Sequence, residues 1–351
     1  MNEANVNDPS VNDPNASEPP AGTPAAPKRR VTRDDVARLA GVSSAVVSYV
    51  LNGTPKPVAA ATRQKVLDAV ELLGYQPNQT ARALSLGRSS VIGLVISDPR
   101  NPYFADLALE IDHAARAHGR TVMVLNSLAR RDGRSMHIAG LGQQQLEGII
   151  IADTLSEAES ETVRALSVPV VLINQFFANK GFASIGVDHF GGAYMAVRHL
   201  IDLGHRRIAF IGGDPGIDPR EDGWRSALRD ADLEPGPAFH VPFEFEGGYQ
   251  AGRGLAEDAT GVTAAFIASE QQALAALSAL HERGLAIPRD IAIVAFDGTT
   301  CAAYLWPPLS TVAQPLRAMA DDAVRRIVTN TAHEDYTTYP MSLVIRASSG
   351  A

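Results

Sequence analysis

Residues 32–52 read TRDDVARLAGVSSAVVSYVLN, and this stretch decides the first domain. Thr32 followed by Asp35 is a capping-box-like start, in which a hydroxyl and a carboxylate satisfy free amides of a first helical turn. Val36, Leu39 and Ala40 make an apolar stripe. The small Ala37 lets a second helix approach, and Gly41 allows a sharp left-handed turn. Ser43 is a good cap for the helix that follows. In that helix Val46, Val47, Val50 and Leu51 form a buried face. Ser44, Ala45, Ser48, Tyr49 and Asn52 are left outward. Small and polar groups on an exposed helix face can enter a DNA major groove and reach base edges.

The charge distribution agrees with that placement. The chain has 351 residues and a net charge of −8, which looks wrong for a DNA binder until it is divided. Residues 1–27 carry −4, residues 28–88 carry +6, and the remainder carries −10. A basic module joined to an acidic body presents one end of the molecule to phosphates. Residues 1–30 are Pro-, Asn- and Ala-rich and read as a disordered tail. They contain no apolar stretch of the kind that begins a secretory signal. No apolar run reaches the ~18 residues of a membrane span. A single cysteine, Cys301, allows no internal disulfide or multi-thiolate metal site and suits a reducing compartment.

From Val91 onward apolar strands alternate with amphipathic helices. Strands are expected at Val91–Ile96, Thr121–Leu125, Gly148–Ala152, Val168–Ile173, Arg207–Ile211, Ala264–Ala268 and Ile291–Phe296. Helices include Tyr103–His118, Phe190–Leu203 and Gln271–Arg283. Continuous apolar strands between helices indicate parallel sheets covered on both faces. The alternation runs through two successive lobes, broken near Leu203–Arg207.

The first stretch resembles the headpiece of the lactose/galactose repressor (LacI/GalR) family. The resemblance continues through Tyr75-x-Pro77-Asn78-x-x-Ala81-Arg82-x-Leu84, similar to that family's hinge helix. It continues again in Asn101-Pro102-Tyr103-Phe104, in Leu203–Gly213, and in Pro307-Pro308-Leu309-Ser310-Thr311-Val312-x-Gln314-Pro315. It implies an all-α helix-turn-helix headpiece (31–77), a hinge (78–90) and a two-lobed, periplasmic-binding-protein-like α/β sensor domain with parallel sheets (91–351). Lobe 1 would take 91–200 and 313–340, and lobe 2 would take 201–312 and 341–351. Two positions depart from the family. Val46 stands where Thr is common, and Tyr49 where Arg is common, so the family's usual half-site sequence does not carry over. The DNA contacts implied are Thr32, Ser43, Ser44, Ala45, Ser48, Tyr49 and Asn52 from the headpiece, and Asn78, Ala81 and Leu84 from the hinge. The leucine matching Leu84 wedges into the minor groove and kinks it. A hinge helix this short does not stand alone in water, so it is expected to order only as a pair on DNA.

Open parallel sheets bind ligands at the carboxyl ends of their strands. Polar residues there include Asp98, Asn126, Asp153, Asn174, Glu270 and Asp297. Arg220, in Arg220-x-x-Gly223-Trp224, resembles the family's effector-binding arginine, a planar fork of donors. Asp297 resembles its acidic effector contact, and Phe243 falls near a ligand-stacking aromatic. Tyr103 and Phe104 complete the expected set. The family's Asn-Asp pair after the Ala264–Ala268 strand is Ser269-Glu270 here.

The resemblance thus implies a cytoplasmic homodimeric repressor, nucleoid-associated when bound to a pseudo-palindromic operator. A small molecule, most simply a sugar acting as inducer, would control it from the cleft between lobes. With no heptad repeat at the C-terminal end, a dimer is expected rather than a tetramer. Enzyme, metal and cofactor readings find no motif. Gly212-Gly213-Asp214-Pro215-Gly216 lacks dinucleotide-binding spacing, and His189, His199 and His205 form no ligand pattern. A solute-binding protein would not carry the headpiece. Control mainly by a partner protein stays open.

Overall fold

Among the described residues the first unit holds three helices: α1 (Arg33–Ala40), α2 (Ser44–Asn52) and α3 (Ala60–Leu73). The computed structural model describes residues 31–52, 57–75, 89–127, 145–258 and 260–350, and divides the chain into two compact units. The expected N-terminal tail and nearly all of the hinge, including Asn78, Ala81 and Leu84, lie outside the described residues.

The capping box at α1 is present as expected. Thr32 Oγ1 accepts from the Asp35 amide at 3.3 Å, and Asp35 Oδ2 accepts from the Thr32 amide at 3.0 Å. Gly41 ends α1 with φ +66°, which an L side chain adopts only with strain. The Val42 amide then reaches back to the Ala37 carbonyl at 3.0 Å. Val36, Val47, Val50 and Val66 are buried together, and Val46 and Leu51 pack at the margin of this cluster.

The second unit contains two six-stranded sheets. The first is built from β1 (Val91–Ile96), β2 (Thr121–Asn126), β3 (Gly148–Ala152), β4 (Val170–Ile173), β5 (Ala183–Val187) and β11 (Asp335–Tyr339), in the order β11-β5-β4-β3-β1-β2. The second holds β6 (Ile208–Gly212), β7 (Ala238–His240), β8 (Ala264–Ile267), β9 (Ala292–Asp297), β10 (Ser310–Ala313) and β12 (Ser342–Val344), in the order β12-β10-β9-β8-β6-β7. Each sheet starts from a 2-1-3 switch in strand order. All pairings are parallel except β10 with β12. Strands such as Gly148–Ala152 are buried throughout, as a sheet covered on both faces requires.

Among the described residues its helices are α4 (Pro102–Ala117), α5 (Glu157–Arg164), α6 (His189–Asp202), α7 (Pro219–Arg229), α8 (Phe245–Glu257), α9 (Glu270–Glu282) and α10 (Leu316–Val328). The expected lobe boundary near residue 200 is corrected. Helix α6 packs on α7 and on strands of the second sheet, so the chain changes lobe at Asp188, whose side chain caps α6 by accepting from the Gly191 amide at 2.8 Å. The chain returns through α10, which packs on α4 and the first sheet, and crosses again between β11 and β12. Gly223 lets α7 lie close on α6, because a Cβ there would stand 2.3 Å from the Phe190 carbonyl oxygen. Trp224 beside it is fully buried, its indole donating to the Ile208 carbonyl at 3.1 Å.

Candidate DNA-reading surface and effector cleft

On the headpiece, Ala45, Ser48, Tyr49 and Asn52 recur at three- and four-residue spacing on α2, opposite Val47 and Val50. Ala45 is exposed, and Ser48 and Tyr49 are half-buried. The side chain of Asn52 falls outside the described part. Three of the expected contacts also have structural duties. The Thr32 hydroxyl belongs to the α1 cap, and Ser43 Oγ accepts from the Val46 amide at 3.4 Å. Ser44, expected to face outward, has its hydroxyl tied to α1. It donates to Asp34 Oδ1 at 2.7 Å and accepts from Arg33 Nε at 3.0 Å. Ser44 therefore locks α2 against α1. Arg33, Arg38, Arg63 and Lys65 are exposed on the same unit.

In the second unit a cavity of about 590 Å³ opens at the carboxyl ends of both sheets. Residues after β1 to β4 wall one side and residues after β6 to β9 the other, as expected for open parallel sheets. It gathers Asp98, Tyr103, Phe104, Asn174, Arg220, Phe243 and Asp297 of the expected set. Arg220 is buried. Its Nε donates to Asp218 Oδ1 at 2.8 Å and its Nη1 to the Ala268 carbonyl at 2.6 Å. The guanidinium lies over the rings of Phe243, Phe296 and Phe176 at 4.9, 5.0 and 5.3 Å. It is thus fixed by protein groups and available to a ligand only at its remaining edge.

Asp297 adopts φ +129°, outside the regions a side chain prefers. Its Oδ2 accepts from the Glu270 amide at 3.2 Å and its Oδ1 from Gln314 Nε2 at 3.1 Å. The Tyr103 hydroxyl donates to the other end of the same Gln314 amide at 3.2 Å. Burial, and then the nearby Glu270 carboxyl, push Asp297 up to about 8 against the pull of Arg220. Beneath this floor His189 stacks on Phe296 with centroids 5.6 Å apart. Burial, helped by Arg220, drives its imidazole down to about 3 and keeps it neutral. Asp98 forms a two-bond pair with Arg100 at 3.0 and 2.9 Å. Burial works to raise Asp98, but the Arg100 bonds overcome it and hold the carboxyl below its ordinary value.

Two expected cleft residues are corrected. Glu270 does not line the cavity. It is fully buried behind it, Oε1 accepting from Thr311 Oγ1 at 2.7 Å and the Gly298 amide at 2.9 Å, and Oε2 from the Thr299 amide at 3.0 Å. At the first position of α9 its side chain turns back under the loop after β9, so it acts on the cleft only by raising Asp297. Asn126 ends the edge strand β2 exposed, outside the cavity. The next residue, Ser127, lines it and donates to Asp153 Oδ2 at 2.5 Å. Unexpected lining residues include Asn101, Gln175, Phe176, Ser269 and Gln271. All stand within a few residues of a strand's carboxyl end, and reading one or two residues further along each strand exit would have found most of them.

The model of the bacterial regulatory proteins of the lacI family matches residues 32–78, and that of the periplasmic binding protein-like domain matches residues 197–349. Catabolite control protein A of Priestia megaterium is 33 % identical over 302 residues, covering 84 % of this chain and 91 % of that protein. The chain belongs to the lacI family of bacterial regulatory proteins. The ribose operon repressor of Haemophilus influenzae is 30 % identical, over 88 % of this chain and 94 % of that one. Among solved structures, the lac repressor dimer bound to operator and the anti-inducer ONPF superimposes with a TM-score of 0.78 at 29 % identity, covering 92 % of this chain and all of that one. This lacI-family chain is a DNA-binding transcriptional regulator, and the family is one of regulators rather than enzymes. No helix among the described residues is long and apolar enough to cross a membrane.

Proposed function

We propose that the chain is a cytoplasmic homodimeric repressor, associated with the nucleoid when bound, whose affinity for a pseudo-palindromic operator is set by a sugar-like effector in the cleft. The observation that carries this is the cavity at the strand ends, where a prefixed Arg220 and a buried Asp297 stand on one wall and Asp98 and Asn174 on the other. Such a site can bind one arrangement of the lobes better than another, which is what a population shift requires. Helix α2 enters the major groove through Ala45, Ser48, Tyr49 and Asn52. The hinge residues Asn78, Ala81 and Leu84 reach the minor groove between half-sites. The solved lac repressor dimer on operator, at 29 % identity over nearly the whole chain, supports both the DNA role and the dimer. The relative named for the ribose operon supports a sugar.

The experiment is a thermal-shift screen of sugars and nucleobases followed by operator binding with each hit. A ligand at 100 times its Kd adds about 2.7 kcal/mol, a clear shift. A sugar that raises Tm and changes operator affinity supports the reading. A nucleobase that does so in its place overturns the sugar assignment.

A further inference from the structure

Among the described residues two buried side-chain polar atoms lack a hydrogen-bond partner, Glu110 Oε2 and Gln271 Oε1. Glu110 does not line the cleft, and Gln271 does. Gln271 is the second residue of α9 and is 1 % exposed. A buried acceptor with nothing to accept is costly, and a native protein carries one where something else supplies the donor. The Gln271 amide also helps hold the Asp98 carboxyl below its ordinary value. Ionised Asp98 only accepts, so it orients that amide, drawing the NH₂ to itself and leaving the carbonyl oxygen for whatever fills the cavity. Asp98 follows β1 and Gln271 opens α9, so a donor on Gln271 Oε1 would sit where the two lobes meet.

The charge of the wall narrows the class of that donor. Among the described residues, Asp98, Asp153 and the proton-bearing Asp297 line the cavity against one guanidinium, Arg220, and no Lys or His does. Arg220 is already paired with the buried Asp218. A phosphate or carboxylate would enter a cleft short of free positive charge and rich in acceptors. A neutral molecule with several hydroxyls would satisfy the acceptors and lay its apolar face on Phe176 and Phe243.

We propose that Gln271 reads the effector, its Oε1 accepting from a ligand hydroxyl, and that the cleft selects uncharged polyhydroxylated molecules and rejects their phosphorylated or carboxylated counterparts. This rests on the reading of the cleft as the effector site.

The test titrates the full chain with matched probes: D-ribose and D-ribose 5-phosphate, D-glucose, D-glucose 6-phosphate and D-glucuronate, D-galactose, cellobiose, hypoxanthine and guanine. At least one uncharged sugar is expected to bind, with its anionic counterpart at least about tenfold weaker. Gln271→Met, which keeps the volume and removes the orphaned acceptor, is expected to melt at or above the wild type without ligand and to lose about tenfold or more in affinity for that sugar. Equal affinity of the variant overturns the role of Gln271. Equal or tighter binding of a phosphate or uronate overturns the class. Those pairs are read on the unaltered chain, so they stand even where Gln271→Met does not fold, and Gln271→Leu then replaces it. Binding of a nucleobase and no sugar overturns the sugar reading itself. In that case a loss of nucleobase affinity in Gln271→Met supports the residue's role alone. Silence from every probe at millimolar concentration overturns both.

Discussion

Arg220 and Asp218, two residues apart at the start of α7, form a buried ion pair with Nε 2.8 Å from Oδ1 and both side chains under a tenth exposed. Asp218 also caps the helix, accepting from the Arg220 amide at 3.0 Å. The pair presets the guanidinium before any effector arrives. Removing one partner strands a charge in the interior, so Arg220→Ala should cost about 3–5 kcal/mol. Asp218→Asn keeps the cap and removes the stranded charge, so the double variant should regain most of that loss. Urea unfolding of the single and double variants checks this. A loss under about 1 kcal/mol for Arg220→Ala would show that the pair is not structural. The effector response of an Arg220 variant is therefore best measured with Asp218→Asn in place.

The cleft carboxyl makes stability depend on pH in a stated direction. Asp297 holds its proton to about 8 in the folded chain, against roughly 3.9 in an unfolded one. Between those values the folded state binds more protons, so this contribution is whole below about pH 4 and is lost as pH rises through 8. Glu270 is raised too, chiefly by burial, and acts in the same sense. His189, depressed to about 3, runs the other way. Its contribution is present above about pH 6.5 and is lost as pH falls toward 3. From pH 6.5 to 8 His189 adds only a small opposing rise as the unfolded imidazole gives up the rest of its proton, and Asp297 adds a fall of at most about 1.4 kcal/mol per pH unit. Melting curves across that window should fall less steeply in Asp297→Asn than in the wild type. Parallel curves would contradict the raised Asp297.

Tyr49 is the largest described side chain on the stripe of α2 proposed to face the groove, and the Ser44 hydroxyl is tied to α1. Tyr49→Ala should therefore weaken operator binding by about 1–3 kcal/mol and leave binding to random DNA nearly intact. Competition assays at fixed salt measure the difference. Equal losses on both DNAs would make Tyr49 a phosphate contact or scaffold residue.

The headpiece was legible because its signals are local: the Thr32–Asp35 cap, the Gly41 turn and the valines at helical spacing all lie within about twenty residues. Strands with unbroken apolar runs, such as Val91–Ile96, were legible for the same reason. The short or half-polar strands β5, β7, β10, β11 and β12 were not. Asp335–Tyr339 reads as polar, and only its parallel pairing with β5, far away in the chain, makes it a strand. In the cleft, Arg220 and Asp297 were found, but Glu270 and Gln271 were exchanged. Adjacent residues at a helix start point to different sides, and no pattern in the sequence says which one the strand-end loop will cover.

Leu84, proposed as a wedge at the operator centre, links the hinge to DNA shape. Unstacking a base step costs a few kcal/mol and is easiest at a pyrimidine–purine step. Leu84→Ala should lower operator affinity and reduce the bend. A stiff A-tract at the centre should weaken the wild type more than the variant. Additive effects with an unchanged bend would remove Leu84 from the mechanism.

The central claim is that occupancy of the cleft sets operator affinity. Operator Kd measured with and without a saturating cleft ligand, in the wild type and in Gln271→Met at the same ligand concentration, tests it most directly. The account predicts a change of at least about tenfold in the wild type, and an operator affinity in the variant that is intact without ligand but no longer responds at that concentration. An operator Kd that stays the same in the wild type while the ligand demonstrably fills the cleft would contradict it.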